Sequence, residues 1–264
     1  MTDDDNPFIA QLDLGPRPWI IGHRGACGEA PENTIESFLL AIEQRAVMIE
    51  LDLQLTRDGR LIALHDWDLR RTSGQPIVAE NASADEIQAL NVGRYQERSG
   101  TAPTIEEIFD ALPPDYPLNL ELKCRHAGHR RYADALERAI AGRQQLLISG
   151  FDWNLLRLVR ELLPDVPIAP LSHEPLPAAL AMARELRAAA VHCHHEAMTT
   201  EFVEESSRSG VPVLVYTVDD AAIASTQFAM GVAGFFTNYP GVLRARLESN
   251  RSVGGQIAGE RIHE

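Results

Sequence analysis

A closed (β/α)8 barrel of the TIM type, with a small insertion after the second strand, is the fold class that this 264-residue chain predicts. Three observations carry the prediction. About eight short apolar runs alternate with segments whose apolar residues recur at three- and four-residue spacing, the pattern of repeated βα units around a parallel sheet. A hydrophobic content of 45% is enough to bury one large core. No G-x-G-x-x-G or Walker glycine loop follows the first run, which weighs against the rival architecture, an open doubly wound sheet.

Taken in order, the expected strands are Trp19 to Gly22, Val47 to Gln54, Leu118 to Lys123, Gln145 to Ser149, Pro167 to Pro170, Ala188 to His192, Val211 to Thr217 and Gly234 to Thr237. Between them "TIESFLLAIEQ", "RRYADALERAIAG", "FDWNLLRLVRELL", "LPAALAMARELR" and "TEFVEESSRSG" read as amphipathic helices. The insertion covers about residues 55–114. It opens with "TRDGRLIALHD", an Asp-Gly turn followed by a short strand ending in His65, and holds the short capped helix "ASADEIQAL". It is too small and too poor in apolar residues to be a second domain, so residues 1–248 are expected to form one domain and the polar, glycine-containing stretch 249–264 a mobile tail.

A formal charge of -14 repels polyanions and anionic membranes, which excludes a general nucleic-acid or membrane-surface binder. The acidic start "MTDDDNPFIAQLDLG" lacks the basic and apolar regions of a signal peptide, and no later apolar run reaches the length of a membrane span. Three unpaired cysteines, Cys27, Cys124 and Cys193, suit a reducing compartment. The expectation is a cytoplasmic protein with a small-molecule partner, no membrane anchor and no nucleic-acid partner. Its oligomeric state is not legible.

In "MIELDLQL", Glu50, Asp52 and Gln54 alternate with Ile49, Leu51, Leu53 and Leu55, so strand geometry places both acids on one face. In "LNLELKC", Asn119, Glu121 and Lys123 likewise share a face. Helices covering the outside of a barrel force these polar faces inward, where crowded carboxylates need a counter-ion. All-oxygen ligation suits a hard cation such as magnesium or calcium, with manganese also compatible. The first strand ends abruptly in His23 and Arg24, and barrel enzymes place their chemistry at such carboxyl ends. Arg24 offers a planar fork of donors for a phosphate, Lys123 a second positive charge, and His65 a second imidazole. Two histidines beside a metal-bound phosphate can serve as one base and one acid near neutral pH.

The stretches "GHRGACGEAPENTIESFLLAI", "IELDLQLTRDGRLIALHDWDLRRTSG" and "LNLELK" resemble the glycerophosphodiester phosphodiesterases, and the likeness continues through "SGFDWNLLRLVRELLPDVPIA", "GVPVLVYTVDD" and "GVAGFFTNYPGVL" over nearly the whole chain. The resemblance implies His23 and His65 as the catalytic pair, Arg24 and Lys123 as phosphate contacts, and Glu50, Asp52 and Glu121 as ligands of one divalent cation. It also implies a TIM barrel with an insertion after the second strand, and hydrolysis of a glycerophosphodiester to glycerol 3-phosphate and an alcohol. Tyr216, Asp220 and Asn238 stand where the family usually shows Trp, Asn and Asp, departures that bear on the alcohol pocket rather than on the metal centre. A lysophospholipase D acting on lipid-bearing diesters, and a silent phosphodiester-binding protein, are the alternatives.

Other residues have competing readings. "VHCHHEAM" looks like a transition-metal cluster, but neighbours on an extended segment point to opposite sides, so at most His192 with His194, or Cys193 with His195, could share an ion; a structural or substrate-lining role is preferred. Trp67 and Tyr216 are candidates for pocket walls. Phe151 either touches the substrate rim or staples the helix it precedes, and Glu32 and Asn33 either cap the next helix or brace the site loop.

Overall fold

The computed structural model describes residues 6–96, 98–126, 128–173 and 177–260, with the side chains of residues 94 and 251–260 outside the description. Eight parallel strands close on one another. They are β1 (Trp19–Gly22), β2 (Met48–Leu55), β6 (Leu118–Lys123), β7 (Leu146–Gly150), β8 (Ile168–Ser172), β9 (Val191–His194), β10 (Val213–Tyr216) and β11 (Gly234–Thr237). They lie in the order β1-β11-β10-β9-β8-β7-β6-β2, and the pairing of β1 with β2 shuts the ring. A short strand, β3 (Leu61–Ala63), runs antiparallel to the outer half of β2 through the turn at Gly59, whose φ of 85° is cheap only for glycine. The strand ends at Ala63, two residues short of the expected His65, which stands in the loop beyond.

The barrel helices are α1 (Ile35–Glu43), α5 (His129–Ala139), α6 (Trp153–Leu162), α7 (Pro177–Glu185), α8 (Thr200–Arg208), α9 (Ala221–Ala229) and α10 (Pro240–Glu260). Four of them start at side chains that satisfy otherwise unpaired backbone N–H groups: Thr34 for α1, Asp152 for α6, Thr199 for α8 and Asp220 for α9. Asp220, one of the departures assigned to the alcohol pocket, therefore serves as a helix cap. Of the tail expected from Ser249, residues 249–260 continue α10, and residues 261–264 lie outside the description.

Between β2 and β6 the chain inserts β3, α2 (Arg70–Ser73), α3 (Ala84–Gln88), the hairpin β4 (Val92–Tyr95) and β5 (Arg98–Gly100), and α4 (Ile105–Ala111). Ser83 with Glu86, and Thr104 with Glu107, form reciprocal capping boxes that fix α3 and α4. A small cluster including Ile62, Leu69, Ile87 and Val92 gives this insertion a core of its own, and the pairing of β3 with β2 ties it to the barrel.

The core has two main parts. A large cluster fills the layer between strands and helices, drawing Leu51, Leu53, Leu120 and Leu122 from the outward faces of β2 and β6. A second cluster, with Ile21, Met48, Leu147, Ala169, Leu214 and Phe236, fills the barrel interior together with Phe8, Ile9, Leu12 and Leu14 from the chain start. Those amino-terminal residues close one end of the barrel and leave the chemistry to the other.

Candidate active site

The site is built from the strand ends. The ladder carries one residue past β1, where the His23 N–H donates to the Thr237 carbonyl at 2.9 Å. The chain then turns through Arg24, in the left-handed region at φ 51°, and Gly25, at φ 82°. A Cβ on Gly25 would run into Ser37, so only glycine fits there. The turn aims the Arg24 N–H at Glu50 Oε2, 2.8 Å away. Asn33, also left-handed at φ 55°, grips Asp52 twice: its Nδ2 donates to Asp52 Oδ2 at 2.9 Å and its Oδ1 accepts the Asp52 N–H at 3.2 Å. Asn33 and Glu32 therefore brace the site loop, and the cap of α1 belongs to Thr34.

The register of β2 against β6 sets Glu50 opposite Asn119, Asp52 opposite Glu121, and Gln54 opposite Lys123. Glu50, Asp52 and Glu121 each offer an oxygen within 4.8 Å of the others, the one such group of three potential ligands among the described residues. All three are buried. Lys123 Nζ reaches Asp52 Oδ1 at 3.2 Å and Glu121 Oε1 at 2.5 Å, and Arg24 Nε reaches Asp52 Oδ2 at 3.3 Å. Glu50 Oε1 is buried with no hydrogen-bond partner.

Charge divides unequally among these groups. Burial tends to raise the Asp52 carboxyl, but Lys123 and Arg24 beside it prevail and hold it well below the ordinary carboxylate range. Burial, followed by Asp52 and Glu121, pushes Glu50 well above its usual value. Burial and Asp52 likewise lift Glu121 to about 7. Two of the three acids thus resist ionising unless further positive charge arrives. Hard oxygens, one of them orphaned, in a buried site short of positive charge match what a divalent cation requires of its ligands.

Two imidazoles flank the acids. His23 Nδ1 meets Asn238 Oδ1 at 2.8 Å, and Asn238 in turn donates its Nδ2 to Asp219 Oδ2 at 2.7 Å. Asp219 also accepts the Asn238 N–H and the Thr237 hydroxyl, both at 2.8 Å. Burial, then the neighbouring Arg24, lower His23 to about 4, so it is neutral near pH 7. His65 Nδ1 meets Asp66 Oδ1 at 2.7 Å. Asp66 accepts from Arg71 Nε at 2.5 Å, and Arg71 forks onto Glu32 at 2.7 Å through both Nη atoms. Glu32 completes the chain by accepting from Arg24 Nη1 at 3.1 Å. Asn238, the third departure, therefore orients a histidine rather than shaping the alcohol pocket. That pairing spans more than two hundred residues, and no sequence signal announces it; nor does one announce Asp219.

His23, Arg24, Glu50, His65, Glu121 and Lys123 line one cavity of about 170 Å³, with Phe151 and Tyr216 on its wall. The Tyr216 hydroxyl donates to the Ser172 carbonyl at 2.8 Å, leaving the ring to face the cavity. Beyond His65, Lys123 and Phe151 lies a wider chamber of about 580 Å³, bordered by Trp67, Asp68 and Asp152. Phe151 borders both spaces and stacks on His173 at 4.5 Å, which favours the rim over the staple. His192 lines the inner cavity, while Cys193 faces the helices. Among the described residues, "VHCHHEAM" forms no ligand cluster.

The sequence pattern of the glycerophosphoryl diester phosphodiesterase family matches residues 23–242, which is most of the chain and the whole of the site. The chain belongs to that family. It is therefore an enzyme, a phosphoric diester hydrolase. It is 31% identical to a glycerophosphodiester phosphodiesterase of Caldanaerobacter subterraneus subsp. tengcongensis over 85% of this chain and 95% of that one. With one of Bacillus subtilis it shares 32% over 83% of each. A structure of an Oleispira antarctica phosphodiesterase in complex with the product sn-glycerol-3-phosphate superposes with a TM-score of 0.81 at 26% identity, covering 88% of this chain and 97% of that one.

Proposed function

We propose that this enzyme uses one divalent cation and two histidines to hydrolyse small glycerophosphodiesters, such as glycerophosphocholine or glycerophosphoethanolamine, to sn-glycerol 3-phosphate and an alcohol. The observation that carries this reading is the cavity onto which Glu50, Glu121, His23, His65, Arg24 and Lys123 converge, with Asp52 buried beside the two glutamates. Glu50, Asp52 and Glu121 would hold the cation, and magnesium, calcium and manganese all suit their oxygens. When bound, the cation supplies charge neutralisation on the phosphoryl oxygens. Arg24 and Lys123 add positive charge on the same group. The product in the Oleispira enzyme's complex supports a glycerophosphate ligand.

The two histidines divide the proton work. Because Asp219 holds the Asn238 amide with its oxygen toward His23, Nδ1 of that ring carries the proton and Nε2 keeps its lone pair. His23 borders only the inner cavity, so it serves as the base that takes the proton of the glycerol 2-hydroxyl. The hydroxyl oxygen bonds to phosphorus as the bond to the departing alcohol breaks, and His65, which borders both spaces, protonates that alcohol. Water then opens the cyclic phosphate. His65 takes a proton from the water and His23 returns its proton to the 2-oxygen. Attack from within the substrate lowers the entropic cost of bringing the reactants together.

Incubating the protein with glycerophosphocholine and measuring released glycerol 3-phosphate tests the reading. Release should stop in excess chelator and return with added cation, and full activity in verified metal-free protein would refute it. Faster turnover of long-chain lysophosphatidylcholine would favour the lysophospholipase D alternative. The chain's charge, its three free cysteines and the lack of any helix long and apolar enough to cross a membrane among the described residues are the grounds for the cytoplasmic reading.

A further inference from the structure

The inner end of the catalytic cavity holds two polar side chains that the hydrolytic scheme leaves without work. Asn119 lies one layer below Glu121 on the inward face of β6, and His192 lies on β9 between Leu171 of β8 and Leu214 of β10. Each is 1% exposed, and each lines the cavity. Asn119 Oδ1 and His192 Nε2 are buried with no hydrogen-bond partner. Such orphans cost stability unless something arrives to satisfy them. The His192 ring lies against Phe236, 4.9 Å between centroids, and burial lowers it to about 3, so it is a neutral donor or acceptor throughout the working range.

A primary hydroxyl matches this pair, since it can donate to Asn119 Oδ1 and accept from an N–H at His192 Nε2. In the proposed scheme the 2-hydroxyl of the glycerol is engaged by His23, which leaves the hydroxyl on carbon 1 to reach the inner end. We infer that Asn119 and His192 form a receptor for the free carbon-1 hydroxyl of the glycerol. The inference rests on the glycerophosphodiester reading of the cavity. An acyl group on carbon 1 would remove the donor that Asn119 needs and would have to fit into a space of about 170 Å³ already shared with the phosphate and the glycerol. The departing alcohol, by contrast, would open onto the wider chamber past His65.

The test compares glycerophosphocholine with 2-hydroxypropyl phosphocholine, which keeps the reacting 2-hydroxyl and lacks the one on carbon 1. Wild-type kcat/KM should favour glycerophosphocholine by about 10–100-fold, the scale of a hydrogen bond lost with a buried partner left unpaired. His192→Phe, which retains an aromatic ring against Phe236, should bring that ratio to within about 3-fold by losing on glycerophosphocholine alone, and His192→Gln should keep most of it. A wild-type ratio near one, or an unchanged ratio in folded His192→Phe, would overturn the receptor. Should His192→Phe fail to fold, the wild-type ratio and His192→Gln decide. Calorimetric binding of sn-glycerol 3-phosphate against 2-hydroxypropyl phosphate separates the two readings. A protein that cleaves neither diester yet prefers the first ligand upholds the receptor and refutes the hydrolytic scheme; equal binding of the two refutes the receptor.

Discussion

The two ends of the barrel interior are lined by the same strands and have opposite chemistry. Toward the amino-terminal end, Ile21, Met48, Leu147, Ala169 and Leu214 pack against Phe8, Ile9, Leu12 and Leu14 into a closed apolar plug. Two residues further along the same inward faces stand His23, Glu50, Ser149 and Tyr216, with Asp52 and Glu121 beside them. The lower end gains stability from buried apolar surface. The upper end places three carboxylates within 4.8 Å, leaves Glu50 Oε1 without a partner and holds Arg24 and Asn33 in left-handed backbone. Such features persist because the surrounding fold is firm enough to impose them. The barrel thus separates its two duties by depth: one layer holds the chain together and the next holds the chemistry.

The largest effect should come from the upper end. Replacing His23 or His65 with Ala should lower turnover of glycerophosphocholine by about 10²–10⁴-fold, the usual scale for a general acid or base. Thermal unfolding should show the fold retained. Leu147→Ala, in the plug, should show the converse. It should cost about 2–5 kcal/mol in denaturant unfolding while leaving kcat/KM of the folded fraction close to wild type. An inactive but fully stable Leu147→Ala would show that the two layers are not separate.

A smaller effect concerns the cation. In the metal-free fold Glu121 keeps its proton up to about 7 and Glu50 beyond its ordinary range, so cation binding must displace protons below those values. The gain in melting temperature on adding saturating magnesium should therefore grow as pH rises from 6 to 8, by roughly 2–4 °C for one proton displaced. A gain independent of pH would contradict these carboxyls as ligands. The smallest effect tests the orientation of His23. In Asn238→Asp a carboxylate would face the ring and favour its charged form, raising His23 from about 4. The acidic limb of kcat/KM should then move to higher pH by about one unit, and an unmoved limb would remove Asn238 from contact with the base.

Much of the upper layer was legible because strand periodicity is a local rule. The alternation in "MIELDLQL" and "LNLELKC" fixes which residues share a face, and the register of β2 with β6 then brings the acids together. The partners of the two histidines were not legible. Asn238, just past β11, reaches His23, just past β1, across the pairing of the first and last strands, and Asp219 acts one step further away, contacts that no local pattern encodes. The choice for Asn33 between cap and brace was not legible either: an Asn before a helix is a common cap, but its left-handed backbone turns it toward Asp52 as a brace, and Thr34 takes the cap. The helices α4 and α9 carry ordinary caps at Thr104 and Asp220, yet their sequences show no clear apolar stripe: "TIEEIFDA" is short and lies within the insertion, and "AAIASTQFA" is apolar on nearly every side. The apolar plug was missed because residues 8–14 form no long element, and only the closed barrel supplies the surface that they cover.

The most direct test of the division by depth is Glu50→Gln, which removes one ionisable carboxyl from the buried acid cluster while keeping an oxygen able to accept the Arg24 N–H. Turnover with glycerophosphocholine and the melting temperature of the metal-free protein would be measured on the same preparation. A fall in turnover of at least about 10²-fold, partly recovered in excess cation, together with an unchanged or higher melting temperature, is what the account predicts. Retained turnover with a melting temperature lowered by several degrees would show that the carboxylates hold the barrel together rather than serve the reaction, and would contradict it.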